Sequence, residues 1–144
     1  MLSKLAVTLA GLVFLVLLPA AEISDTHVFN PAWPEHARLH EVWQLCAHAL
    51  LSGIALWLIW VKREALVASV IALAMGASFV FAYLIRESYG GSMSHADGEP
   101  VTALANAAVV VAAGVSALLI AGIFQEASSL RSSHLEHPTR SARN

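Results

Sequence analysis

The sequence predicts an all-α protein: a four-helix transmembrane bundle running up and down, with both termini in the cytoplasm. Three observations predict it. The 144 residues are 58% hydrophobic and only 12% charged, where a soluble domain carries roughly a quarter charged residues. The apolar residues fall in four long blocks, each near the ~20 residues a helix needs to cross ~30 Å of hydrocarbon. Lys and Arg gather on one side of those blocks, as the positive-inside rule describes. A backbone in lipid must satisfy its own amides, so each block is helical. The expected helices cover 2–21, 34–61, 65–86 and 101–125, within one domain of residues 1–126.

The first block contains only Ser3, Lys4 and Thr8 as polar members. A basic residue before an apolar run also suits a secretory signal, but the cleavage site is poor. Cutting after Ala21 leaves Pro19 at the −3 position and cutting after Ala20 leaves Leu18 there, where a small residue is needed. The block is expected to stay as a helix. The second helix is introduced by Asn30-Pro31, a turn signal, and by Pro34, which suits a first helical turn with Glu35 beside the positive end of the dipole. Trp33 and Trp43 fit an interfacial aromatic belt. The third block is broken only by Ser69 and Ser78, and the fourth carries Thr102, Asn106 and Ser116. Ala68, Ala72 and Gly76 on the third helix, and Ala105, Ala108 and Ala112 on the fourth, recur every four residues and permit close helix packing. Residues 127–144 are polar, Ser-rich and without apolar period, and are expected to form a flexible cytoplasmic tail holding His134 and His137.

Orientation follows from Lys4, Lys62, Arg63, Arg131, Arg140 and Arg143 on one side, against Arg38 and Arg86 on the other. The long connections 22–39 and 86–100 then face away from the cytoplasm. The compact, Ala-rich helices point to a bacterial inner membrane rather than an organelle membrane. Net charge −2 gives no electrostatic case for nucleic acid. The single Cys46 excludes an internal disulfide, a Cys-based zinc site and an iron–sulfur cluster.

The chemistry-bearing residues concentrate at the start of the second helix. His36, His40, Gln44 and His48 recur every four residues with Glu41 on the shoulder, a polar stripe that is expected to face the bundle interior or a water-filled cavity. Tyr83, Arg86 and Glu87 end the third helix, and Thr102 and Asn106 open the fourth, at matching depth. Asp25 and His27 lie in the preceding loop. Three readings stand. His36 and His40, one helical turn apart, with His27, are candidate ligands to a divalent metal, although Ala37 stands where zincin helices carry a glutamate. Alternatively, His40, Glu41, Gln44, His48, Tyr83, Arg86 and Asn106 line a pocket for a small apolar or lipid-like ligand, with Glu41 as acid or base if chemistry occurs. In the third reading the polar groups bond helix to helix, in a scaffold, a homo-oligomer or an accessory subunit of a larger membrane complex. No nucleophile motif, phosphate loop or cofactor fingerprint names a reaction.

The run His27-Val-Phe-Asn-Pro-Ala-Trp-Pro-Glu-His-Ala-Arg-Leu-His40 resembles the H-x-F-N-P-x-W-P-x-H-A-R/K-x-H hallmark of a family of small, uncharacterised four-helix membrane proteins. Glu35 fills a variable position of that pattern, where the resemblance implies a second Pro. The resemblance implies the four-helix fold and draws attention to His27, His36, Arg38 and His40. More distantly, the layout is similar to DoxX-like proteins and to the four-helix core of sterol-isomerase and sigma-receptor-like proteins, an analogy of fold alone.

Overall fold

The computed structural model describes residues 1–93 and 103–136, with side chains in the last helix described over 107–132. Four helices are long and apolar enough to cross a membrane. We label them α1 (Leu2–Glu22), α2 (Glu35–Lys62), α3 (Ala65–Leu84) and α4 (Ala103–Glu136). A short 3-10 turn, Arg86–Tyr89, follows α3. The chain is an all-α four-helix bundle and reads as a multi-pass membrane protein.

Antiparallel packing is fixed by contacts along the helices. Near the end that carries the N-terminus, Ser3 Oγ donates to Glu126 Oε1 at 2.9 Å and Trp60 Nε1 donates to Thr8 Oγ1 at 3.2 Å. Lys4 lies over the Trp60 ring at 5.1 Å and Lys62 over Trp57 at 5.0 Å. Such amphipathic pairs are the kind that membrane interfaces favour. The helix α1 packs on all three others, as does α3, whereas α2 and α4 flank that central pair and scarcely meet each other among the described residues.

The core sits in the half of the bundle next to those anchors. Ala6, Val7, Ala10 and Phe14 of α1 meet Ala55 and Ile59 of α2, Ala68, Ala72 and Met75 of α3, and Leu119 of α4. So many alanines let the backbones approach closely. A Cβ at Gly122 of α4 would stand 3.3 Å from Ser3 Cα, so the two helices meet there at close range and a side chain would push them apart by a few tenths of an ångström. On α3 the small-residue spacing works as expected, with Ala68, Ala72 and Gly76 all buried. On α4 the packed line runs instead through Ala112, Ser116, Leu119 and Gly122, and Ala108 is exposed. Ala105 lies outside the described side chains.

Three local features depart from a simple helix. In α1, Pro19 has no N–H and its ring crowds the carbonyl one turn back. The preceding residues Val13–Leu17 open into a π turn, in which the Leu18 N–H reaches Val13 O, the usual accommodation of such a defect. Between α2 and α3, Arg63 adopts a left-handed conformation (φ 60°) and the Glu64 N–H reaches back to Leu58 O at 3.0 Å, closing the helix in two residues. Finally, α4 does not stop near residue 125. It runs to Glu136, about three turns into the stretch expected to be a flexible tail from residue 127. The serines that suggested a loop instead donate back along the helix: Ser128 to Phe124 O, Ser129 to Glu126 O and Ser132 to Ser128 O. Pro138, two residues beyond Glu136, is the first residue that disfavours continuation. Residues 137–144 lie outside the described residues.

Candidate functional site at the loop end of α1 and α2

The helix α2 has 28 residues, about 42 Å at ~1.5 Å per residue, where the hydrocarbon is ~30 Å thick. A hydrocarbon slab drawn from Trp57 and Lys62, which pair as interfacial residues do, would leave an excess of about two turns at the opposite end. That end holds Glu35, His36, His40 and Glu41.

The polar stripe of α2 divides into two faces. Each four-residue step advances ~40° around a helix, so four such residues fan across ~120°. The line that points into the bundle alternates four and three: Glu41, Leu45, His48, Ser52, Ala55, Ile59. Leu45, Ser52, Ala55 and Ile59 are buried, and Glu41 and His48 are half-buried. His36, His40 and Gln44 lie to one side and are exposed. The expectation that all four stripe residues turn inward is therefore corrected: His48 does so, with Glu41 two turns above it.

Above Glu41, the loop after α1 folds back on itself. Ser24 Oγ donates to Ala21 O at 2.8 Å, and the Val28 N–H reaches Glu22 O at 3.1 Å. This brings His27 Nε2 to 3.5 Å from Glu22 Oε2, while His27 Nδ1 sits 2.9 Å from Thr26 Oγ1. The ring edges against Trp33, with centroids 5.6 Å apart. Asn30 Oδ1 accepts the Ala32 N–H at 2.9 Å, the Asx turn its Asn-Pro sequence suggests, and Pro34 (ψ 141°) then leads into α2. Glu41, half-buried on the inward line of α2, lies at the same end as Glu22 and His27. Two carboxylates and an imidazole thus gather at one end of the α1–α2 pair.

Below this group the wall becomes apolar. Phe14, inside the π turn of α1, lies 4.8 Å from the His48 ring at a 45° tilt. His48 Nδ1 is buried and has no hydrogen-bond partner among the described residues. A buried polar nitrogen left unpaired is costly and calls for an explanation.

Tyr83 and Arg86 form a separate group at the end of α3. The Arg86 guanidinium stacks over the Tyr83 ring at 4.3 Å and its Nη1 donates to Tyr83 O at 2.9 Å. Tyr89 OH donates to Ala82 O at 3.0 Å. These bonds satisfy the last carbonyls of α3, which have no intrahelical partner, and place a cation at the negative end of the helix. The acidic partner of Arg86 is Glu87, at 3.9 Å, rather than Glu41. Phe79, Tyr83, Arg86, Tyr89 and Met93 line a small cavity of about 160 Å³ of their own. Asn106 falls within α4, but its side chain lies outside the described residues.

His36 and His40 face each other, with Nε2 atoms 2.9 Å apart. His27 does not join them, and no group of three or more His, Cys, Asp or Glu among the described residues is arranged to hold a metal. Sequence reasoning missed Glu22 and Phe14 as parts of the site. A charge ending the first apolar block, five residues before His27, was the available signal for Glu22. For Phe14 it was the inward spacing Val7, Ala10, Phe14.

Fold and site together define a small four-span helical protein with a carboxylate–histidine cluster at the loop end of its first two helices. No curated protein and no solved structure matches the chain. Its family is nonetheless clear: the chain belongs to DUF6640, a family of unknown function, whose model matches residues 4–135.

Proposed function

We propose that the protein binds a small amphipathic, lipid-like molecule between the loop end of α1 and α2. The observation that carries the reading is the buried Nδ1 of His48 beside Phe14, which has no hydrogen-bond partner among the described residues. A ligand polar atom arriving there would satisfy a group that the described residues leave unsatisfied. Glu41, about 10 Å further along the same helix face, with Glu22 and His27, offers acceptors for a hydroxyl or amine head. Phe14 and Leu45 supply an apolar wall between the two polar points. The positive end of the bundle, with Lys4, Lys62 and Arg63, is read as cytoplasmic. The site then lies toward the far leaflet, in a bacterial inner membrane. The run 27–40 is read as the family's signature because it builds this loop and helix start; the likeness to DoxX-like proteins remains one of layout.

The experiment is a thermal-shift panel of lipids and sterols on the full chain in mild detergent. At least one member should raise the melting temperature of the wild type, and Glu41→Gln and His48→Leu should abolish that shift while remaining folded. Shifts unchanged in both variants would remove the pocket and favour the scaffold or accessory-subunit reading, in which these polar groups only join helices.

A further inference from the structure

We propose that His36 and His40 form a two-point site for a divalent transition metal on the exposed face of α2, separate from the ligand site argued above. Both side chains are exposed and occupy the helix turns that emerge beyond the hydrocarbon. The four-residue spacing stacks the rings, whose centroids are 4.4 Å apart and whose planes are nearly perpendicular at 84°. Their Nε2 atoms converge to 2.9 Å.

That separation is short enough for both nitrogens to meet one ion, and it lies nearer the spacing of some metals than of others. Two nitrogens 2.9 Å apart, each ~2.1 Å from an ion, subtend about 90° at it. This is the cis angle of a square-planar or tetragonal centre, the preference of Cu²⁺ and Ni²⁺. Tetrahedral Zn²⁺ wants its nitrogens about 3.4 Å apart, so the rings would have to open by about half an ångström. The order of affinities at imidazole sites also puts Cu²⁺ first. Before the metal enters, one ring donates Nε2–H to the other. On binding, that proton leaves Nε2 to water and another is taken up at Nδ1 of the same ring, and both rings turn so that their Nε2 lone pairs converge on the ion, with no change in charge. Water completes the coordination. Trp43, whose ring lies 5.7 Å from that of His40, is an internal reporter.

The test is titration of the full-length chain, without a His tag, in detergent with Cu²⁺ and then Zn²⁺, followed by tryptophan emission and by the nitrogen splittings in the Cu²⁺ electron paramagnetic resonance spectrum. The wild type should bind one Cu²⁺ with two equivalent nitrogens, quench Trp43, and prefer Cu²⁺ over Zn²⁺. His36→Ala and His40→Ala should each weaken binding about 100-fold, the lower range for loss of a pre-positioned second contact, and leave helix content by circular dichroism intact. His27→Ala should leave the Cu²⁺ titration unchanged. A wild-type spectrum with one nitrogen, or equal affinity in His36→Ala and wild type, would overturn the proposal. The lipid panel is read separately in the same variants, so the two sites fail independently.

Discussion

Replacing His48 with leucine is the perturbation whose sign says most about the site. The His48 Nδ1 is buried with no hydrogen-bond partner among the described residues, and an unsatisfied buried polar group costs about 1–3 kcal/mol. Leucine removes that cost. It also forfeits the tilted ring contact with Phe14 at 4.8 Å, worth about 0.5–1.5 kcal/mol. The difference favours the variant by about 1 kcal/mol, a rise of about 3 °C in melting temperature for a chain of this size. The assay is thermal unfolding by circular dichroism in detergent, after exhaustive exchange to strip bound lipid. In the presence of a stabilising lipid the order should reverse, because only the wild type gains the ligand bond. A loss of about 1 kcal/mol or more in the stripped variant would mean that Nδ1 has a native partner within the protein, and the argument for a ligand there would fail.

Other expectations follow from the packing and the helix ends. Gly122→Val would force a branched side chain against Ser3, whose Cα a Cβ would already approach to 3.3 Å. Overpacking of this kind costs about 1–3 kcal/mol, visible as a lower melting temperature; an unchanged one would mean α1 and α4 are not in contact. Arg86→Ala removes the contact to Tyr83 O and the stacking on its ring, for a loss of about 1 kcal/mol. It should leave lipid-induced thermal shifts intact, and their disappearance would return Arg86 to the binding site. In a Cys46→Ser background, a membrane-impermeant thiol reagent should label Ser94→Cys from outside the cell and miss Ser132→Cys. The opposite pattern would invert the bundle.

The four spans were legible because length and hydropathy act over whole helices, where single residues average out. The start of α2 was legible for a local reason: Pro34 cannot sit inside a helix, and the Asn30 side chain closes the turn before it. The end of α4 was not, since Ser128, Ser129 and Ser132 read as loop by composition yet bond back to their own helix. The same limit applies to the histidine stripe. A four-residue interval looks like one face over two turns and becomes two faces over four, so His36 and His40 part from His48. Arg86 carries the charge of a ligand-binding residue but is held by the carbonyl of Tyr83. A C-terminal cap of that kind depends on the turn after α3, which the sequence leaves open. The group formed by Glu22, His27 and Glu41 depends on a loop wrapping back on α1, a long-range geometry that only the fold supplies.

Native mass spectrometry of the full chain, released from its membrane in mild detergent, tests the central claim most directly. The account predicts a one-to-one adduct in the mass range of a lipid or sterol on the wild type, absent from His48→Leu and from Glu41→Gln at equal folding. A wild-type chain that flies bare, or an adduct retained in both variants, would contradict a ligand site between α1 and α2.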